Sequence, residues 1–554
     1  MLATAGARQR RTTVRRLLAA IAALPRPLSD RERIACGSWR LELGEAVSPS
    51  EALELGSLTS LTDPDRAERF LRHAVDAGGG AAAEVALAEH LKRTGRHHEA
   101  AQLLGTASAA DRRSAAEVAK TLALVAGFGS RHPGRALAVL DAQLAAHGDH
   151  PDLRAVHAGL LRTEARYAES LHEAEPLRRG PVGFASVFAG ISEALVRGEL
   201  GEPTTALQVV DLLRRPALQV VDRIPEGPVL LDWLSAWAPA VASLDLRAAE
   251  PVAVRGYDRA LETGTETLRT PFAHLLGVIR TLEGDVATGA HLLREALGLP
   301  GIWRDSWLPV VLADLAVALV GSGDLRGAAE AIARAESEAV PPAQHGRLLL
   351  ATAALLDAQE DRDGAIGLAQ EVAQRAAASG AVVEEWNARF AAMRFGDPTA
   401  PAELLALAPL PGLPRDAQLD HARALQAADP LRFEAVARRY WSTGLRWFAV
   451  EASVEAIRLR TQQDLPTAAA TERLAQWAAE VPALRVRTAG TDGPPALTSR
   501  EREVVALAAR GLPDRGVAEA LGISVRTAQT HLSRAFGKLG VHRRSELAGL
   551  LDEV

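Results

Sequence analysis

What is scarce in this 554-residue chain narrows its chemistry before anything else does. It holds one cysteine, Cys36, which excludes an intramolecular disulfide framework and a thiolate metal cluster and fits a reducing compartment. Aromatic residues make up 4% of a chain that is 48% hydrophobic, so alanine and leucine must fill the interior, a composition that favours helices. Lysine occurs only as Lys92, Lys120 and Lys538 among 63 basic residues, a bias of genome composition more than of function. The longest apolar run, Trp307 to Val320, is broken by Asp314 and is short for a bilayer crossing, so it reads as a buried helix. Five arginines precede LLAAIAALP near the start, but no small-residue cleavage site follows. That segment reads as an amphipathic first helix rather than a secretory leader. The expectation is a soluble cytoplasmic protein with no membrane partner.

Catalytic patterns are also missing. The histidines are scattered, H-E-x-x-H does not occur, and Cys36 has no patterned histidine partner. His97-His98 falls between two helical patterns and reads as an exposed turn rather than a metal site. Glu360, Asp361 and Asp363 lack EF-hand spacing and its closing Glu, so they read as a solvated turn. No enzyme activity, metal or cofactor is expected.

The long first part repeats a pattern: a Leu/Ala-rich helix, a small polar turn, and a small residue opening a second helix. LAEHLKRTGRHHEAAQLL, LADLAVALVGSGDLRGAAEAI and LATAALLDAQEDRDGAIGLAQ show it best. Aligning the small residue gives Ala100, Ala136, Ala168, Ala206, Ala248, Gly289, Ala328, Ala365, Ala402 and Ala449. Such spacing fits two-helix repeats, in which a small residue lets neighbouring helices approach. One hairpin cannot bury its apolar face alone, so the copies must stack. The copies resemble degenerate tetratricopeptide repeats. The fold class expected is all-α, a tetratricopeptide-like α-solenoid over residues 1–485. The stretch Pro409 to Pro414 reads as a surface loop or a break in pitch, and residues 486–496 as a flexible Gly/Pro-rich linker. Trp233/Trp237 and Trp303/Trp307, each at i, i+4, suit wedging between repeats, with a ligand or peptide surface as the alternative.

The end of the chain, residues 497–554, carries the densest signals. Thr498 with Glu501 is a capping box, and Val504, Val505, Leu507 and Ala508 share a helical face that Gly511 ends. A second helix carries Val517, Ala518 and Leu521 and stops at Gly522. Ser524 then caps a third helix running from Val525 to Leu539, and a short fourth follows from Arg544. Helix, glycine turn and capped helix is the helix-turn-helix arrangement, whose second member can enter a DNA major groove. From Leu521 to Ser545 the chain has Arg526, Arg534, Lys538, Arg543 and Arg544 and no acid, a stripe suited to phosphates. The whole chain is at −6, yet these 58 residues carry nine basic and seven acidic groups, +2, so the rest is at −8.

The residues LT-x-REREV at Leu497–Val504, Ala509–Gly511, A-x-x-L-x-IS at Ala518–Ser524, Thr527, His531, K-L-G-V at Lys538–Val541 and Arg544 resemble the C-terminal domain of LuxR-type transcription regulators. The resemblance implies a small four-helix domain binding double-stranded DNA as a homodimer. It places Gln529, Thr530 and Ser533 at base contacts. It places Arg526, Thr527, His531, Arg534, Lys538 and Arg544 at phosphates, and Leu547, Leu550 and Leu551 at the dimer contact. Two departures stand out. Pro513 and Gly516 replace a polar cap and a Glu, which weakens the second helix and leaves Asp514 to act as cap. Gln529 stands where the family has Lys, and its amide suits adenine.

Leu431–Val481 resembles the helical segment before this domain in large ATP-binding LuxR-type regulators, but no G-x-x-x-x-G-K-[ST] loop occurs, and Gly-Lys appears only at Gly537-Lys538. Either the relative lacks the ATPase module or one precedes this chain. The function expected is a sequence-specific transcription regulator whose repeats sense an unknown inducer or regulatory protein. The alternatives are a protein-interaction scaffold with a degenerate DNA-binding domain, and an ATP-dependent switch.

Overall fold

The computed structural model describes residues 6–60, 62–107, 109–299, 301–485, 499–509, 512–525, 527–529, 531, 532 and 535. Among them the secondary structure is helical, with two short π-helical turns at Val125–Gly129 and Pro239–Ser243 and no strand. Two compact units form: residues 1–456 with 468–486, and residues 457–467 with 487–554.

The larger unit is a run of antiparallel helical hairpins, as the alanine rhythm implies. Its turns share one device. A residue in the left-handed region sits two positions before the second helix, as at Gly95, Gly201, Gly284, Gly323 and Gly444. Glycine takes that conformation without steric cost. The next N–H then reaches back over the turn, as when Asp324 donates to the Leu319 carbonyl at 2.9 Å. Asp285, Asp324 and Asp361 cap the helices that follow, accepting from backbone N–H groups three residues on at 2.9–3.2 Å. The acidic turn at Glu360–Asp363 is therefore a helix cap.

The fourth residue of each second helix is where the hairpin closes. Ala100, Ala136, Ala206, Gly289, Ala328, Ala365 and Ala449 all occupy it, and all are buried. The register fails at three positions. Ala168 is exposed, and Ser170 takes the buried place, its hydroxyl donating to the Ala158 carbonyl at 2.7 Å. Ala248 is exposed beside buried Ala249, and Ala402 is exposed beside buried Leu404. The first two errors share a feature: an apolar residue makes the turn, where Arg131 and Glu360 do so before the correctly placed Ala136 and Ala365 as polar residues. Ala165 (φ 58°) and Leu244 (φ 54°) make their turns in the left-handed region with neither a glycine nor a polar residue, so the sequence does not mark where the helix starts.

The array returns on itself. Residues some two hundred apart in sequence meet: His97 Nε2 lies 2.7 Å from Asp305 Oδ2, and Ser306 Oγ donates to the Phe128 carbonyl at 2.9 Å. Arg131 donates to the carbonyls of Asp305 and Ala339 at 2.7 and 3.1 Å and pairs with Glu338. His97 thus belongs to a largely buried pair at the start of the helix His97–Gly105, which corrects its reading as an exposed turn, while His98 is exposed. The Pro409–Pro414 stretch is a surface loop in part, with Pro409, Pro411 and Leu413 exposed, but its other side faces inward. Leu410 is buried, Gly412 lies against the Ser243 backbone, and Arg415 just beyond is fully buried. Arg415 donates to the carbonyls of Ala242 and Val241 at 3.0 and 2.8 Å and to Asn387 and Gln418 at 2.8 and 3.0 Å. Four neutral oxygens hold a guanidinium whose pKa burial lowers to about 9. The inward side of the loop, with Arg415, forms a seam between distant hairpins.

The apolar run around Asp314 forms a helix longer than its sequence suggested, Ile302–Ser322. By length and composition Arg304–Ser322 could cross a membrane, but 72% of its most apolar window is buried among other helices of the array.

Candidate nucleic-acid interface and repeat-array cavity

In the smaller unit, the helices Ser499–Ala509 and Asp514–Leu521 pack with a third segment around one small core. Val504, Val505, Ala508, Val517, Ala518, Ala528, Leu532 and Ala535 form it, with Leu507, Leu512, Leu521 and Ile523 at its edge. Gly522 ends the second helix at φ 62°, its N–H returning to the carbonyls of Ala518 and Glu519. Ile523 follows into the core edge, its N–H donating to the Ala518 carbonyl at 3.0 Å.

Ser524 opens the third segment. Its Oγ accepts from the Thr527 N–H at 3.1 Å and lies 2.7 Å from Thr527 Oγ1, so both residues build the cap. Positions 528, 532 and 535 carry the buried stripe, at the i, i+4, i+7 spacing of a helix face. Ser524, Val525, Thr527 and Gln529 are exposed, and His531 is half-buried.

Gln529 Nε2 donates to Asp514 Oδ2 at 3.2 Å. Asp514 does not replace the missing cap, which corrects that expectation. Pro513 stands at the cap position in extended backbone and offers no side-chain bond, and Asp514 is the first helical residue. There its charge favours the positive end of the helix dipole. Arg526, Thr530, Ser533, Arg534, Lys538, Arg544, Leu547, Leu550 and Leu551 lie outside the described residues, as do Thr498, the fourth helix and the 486–496 linker.

Residues 495–551 match the family described as "Bacterial regulatory proteins, luxR family". This stretch is a luxR-family helix-turn-helix domain. Over 51 residues the chain is 45% identical to proteins named HTH-type transcriptional regulators from Mycobacterium bovis and from two strains of Mycobacterium tuberculosis. The alignment spans 9% of this chain and 6% of each relative. A solved chain titled "Crystal structure of APC/C hetero-tetramer Cut9-Hcn1" overlaps 80% of this chain and 92% of its own length, at 14% identity and a TM-score of 0.33.

Outside the luxR-family domain, the array forms two half-open cavities, of about 700 and 330 Å³, and Arg162 and Trp307 line both. Phe128, Phe184 and Phe188 line the larger one. The Lys120 ammonium lies 4.5 Å from the Phe184 ring centre, and Arg223 also faces that ring, but Glu117 pairs with both cations. The smaller cavity gathers the tryptophans. Trp233 and Trp237 stack at 5.5 Å, and Trp307 meets Trp233 edge-on at 5.8 Å. Trp237 also presses on Gly198, where even a methyl group would overlap its ring, so wedging and cavity-lining roles coexist. The Trp303 side chain lies outside the described residues.

Charged groups line the same space. Asp314 is buried between His274 at 2.8 Å and Arg347 at 2.6 Å. Burial opposes its charge, but these partners outweigh that and hold its pKa down. Glu199 accepts from Arg162 at 3.0 Å, yet burial still raises its pKa. Glu384 is raised to about 7, by burial first and by Glu199 second. Sequence patterns missed Glu199, Gln344 and Glu384, because they meet only when distant hairpins close on one another.

Proposed function

We propose that the chain is a transcription regulator that binds double-stranded DNA in sequence-specific fashion, as a homodimer, in the cytoplasm. The observation that carries the reading is the Ser524-capped segment. It is anchored by Ala528, Leu532 and Ala535 and keeps Ser524, Thr527 and Gln529 exposed, within a stretch matching the luxR family. A helix held by one face and exposed on the other can lie in a major groove with its N-terminal residues on base edges. Gln529, Thr530 and Ser533 are proposed to read bases. Arg526, Thr527, His531, Arg534, Lys538 and Arg544 are proposed to hold phosphates, and Leu547, Leu550 and Leu551 to pair the two copies. The helical array acts as the input surface, receiving an inducer or a regulatory protein.

The Gln529–Asp514 bond supports one alternative, a scaffold whose domain no longer reads DNA, because it takes one of the two amide N–H donors and turns the amide toward Asp514 rather than toward adenine N7. A gel shift on fragments of the source genome, with the full chain and with residues 497–554 removed, separates the two. Retarded fragments that depend on those residues support the regulator; none retarded by the full chain supports the scaffold.

A further inference from the structure

The 330 Å³ cavity is at the small end of small-molecule sites, which span roughly 300–1,000 Å³, and its polar groups do not balance. Its cations are already engaged. Arg162 holds Glu199, Arg347 holds Asp314, and Arg394 holds Glu451 through two bonds of 2.6 and 2.7 Å. Three acceptors are left over. Glu199 Oε2 and Gln344 Oε1 are buried without a hydrogen-bond partner, the Gln344 amide nitrogen being spent on the Ser306 carbonyl at 2.9 Å. Glu384 makes no hydrogen bond or ion pair with any described residue; Arg347 and Arg375 are near enough to oppose its raised pKa but do not cancel it. Buried acceptors without donors are costly, and like-charged carboxylates sharing a site more so.

The complement of such a site is a molecule that supplies donors and positive charge. The lining of the same cavity includes indole rings, whose faces attract cations, and Phe390 and Phe448 add apolar surface. We propose that this cavity takes an organic cation, an amine on an apolar body, with its ammonium set against Glu199, Gln344 and Glu384 and its body against Trp233 and Trp307. An ammonium has three N–H donors, one for each orphaned acceptor. A carboxylate ligand would meet Glu384 and three arginines already spent on Glu199, Asp314 and Glu451.

The proposal deepens the input role given to the array and rests on it. Binding is measured without DNA, so its failure leaves the gel-shift result standing. The full chain is titrated calorimetrically with phenethylamine, phenethyl alcohol and 3-phenylpropionate at about pH 8, where Glu384 is mostly charged. Phenethylamine should bind saturably and raise the melting temperature, with the alcohol and the carboxylate at least tenfold weaker. Glu384→Gln should weaken amine binding at least tenfold while leaving the melting temperature of the unliganded protein unchanged or higher. Gln344→Met, which retains volume, should weaken it several-fold and gives an independent reading. The proposal is overturned if the amine binds no better than the alcohol, if the carboxylate is preferred, or if Glu384→Gln keeps full amine affinity.

Discussion

Acidification should weaken the helical array through His421, by an amount that the structure sets. The imidazole is buried in a ring cage, edge-on to Phe390, Phe433 and Tyr440 with centres 5.8, 5.1 and 6.0 Å away. Burial, and after it the nearby Arg394, lowers its pKa to about 3. Between that value and the ordinary one near 6.5, the unfolded chain carries a proton that the folded chain refuses. The stabilisation is whole above about pH 6.5 and is lost as pH falls through that window. At pH 5 the loss integrates to about 2 kcal/mol. His90, lowered to about 4 by burial and then by Arg93, works in the same direction. Glu384 works in the opposite one, because its raised pKa makes the folded chain bind a proton first. The wild-type curve alone mixes these effects, and His421→Phe, which keeps the ring packing, isolates one of them. Urea unfolding at about pH 7.5 and about pH 5 gives a stability difference for each protein. That difference should be about 2 kcal/mol smaller in His421→Phe. Equal differences would refute the claim that burial keeps this ring neutral.

Two further outcomes concern the luxR-family domain. Gly516→Ala should stabilise it by about 1 kcal/mol, because a Cβ there meets only Pro513 Cδ at 3.5 Å and Leu512 beyond, ordinary contacts, and alanine is the better helix former. Hydrogen exchange in Asp514–Leu521 checks this, and faster exchange would mean that the glycine serves packing. Gln529→Ala should cost roughly 1–3 kcal/mol on the preferred site and relax one base position, read by competition binding. An equal loss on all sequences would remove Gln529 from base reading.

How much was legible in the sequence follows from where the information lay. Six of the seven small residues at the fourth helical position were found from a glycine or polar turn before the helix, and Ala136 was placed partly by the repeat register. Ala168 and Ala248 were misplaced where Ala165 and Leu244 make the turn instead, in a conformation that their side chains give no hint of. The core of the terminal domain was visible as helical spacing of Val504, Val505, Ala508, Val517 and Ala518. Arg415 was not. Its environment is made by carbonyls 173 and 174 residues away, and a charged residue beside a Pro/Gly stretch reads as surface until the array closes over it. The cavity was half visible, since the tryptophan spacing pointed to it. Its surplus acceptors depend on which distant cations are already paired, and that is a property of packing alone.

The measurement that tests the central claim most directly is selection of duplexes from a random pool by the full-length chain at physiological salt. The account predicts one enriched motif, with paired half-sites spaced by about one helical turn or a multiple of it, and its loss when residues 497–554 are removed. Binding of all sequences alike, or enrichment that persists without those residues, would contradict it.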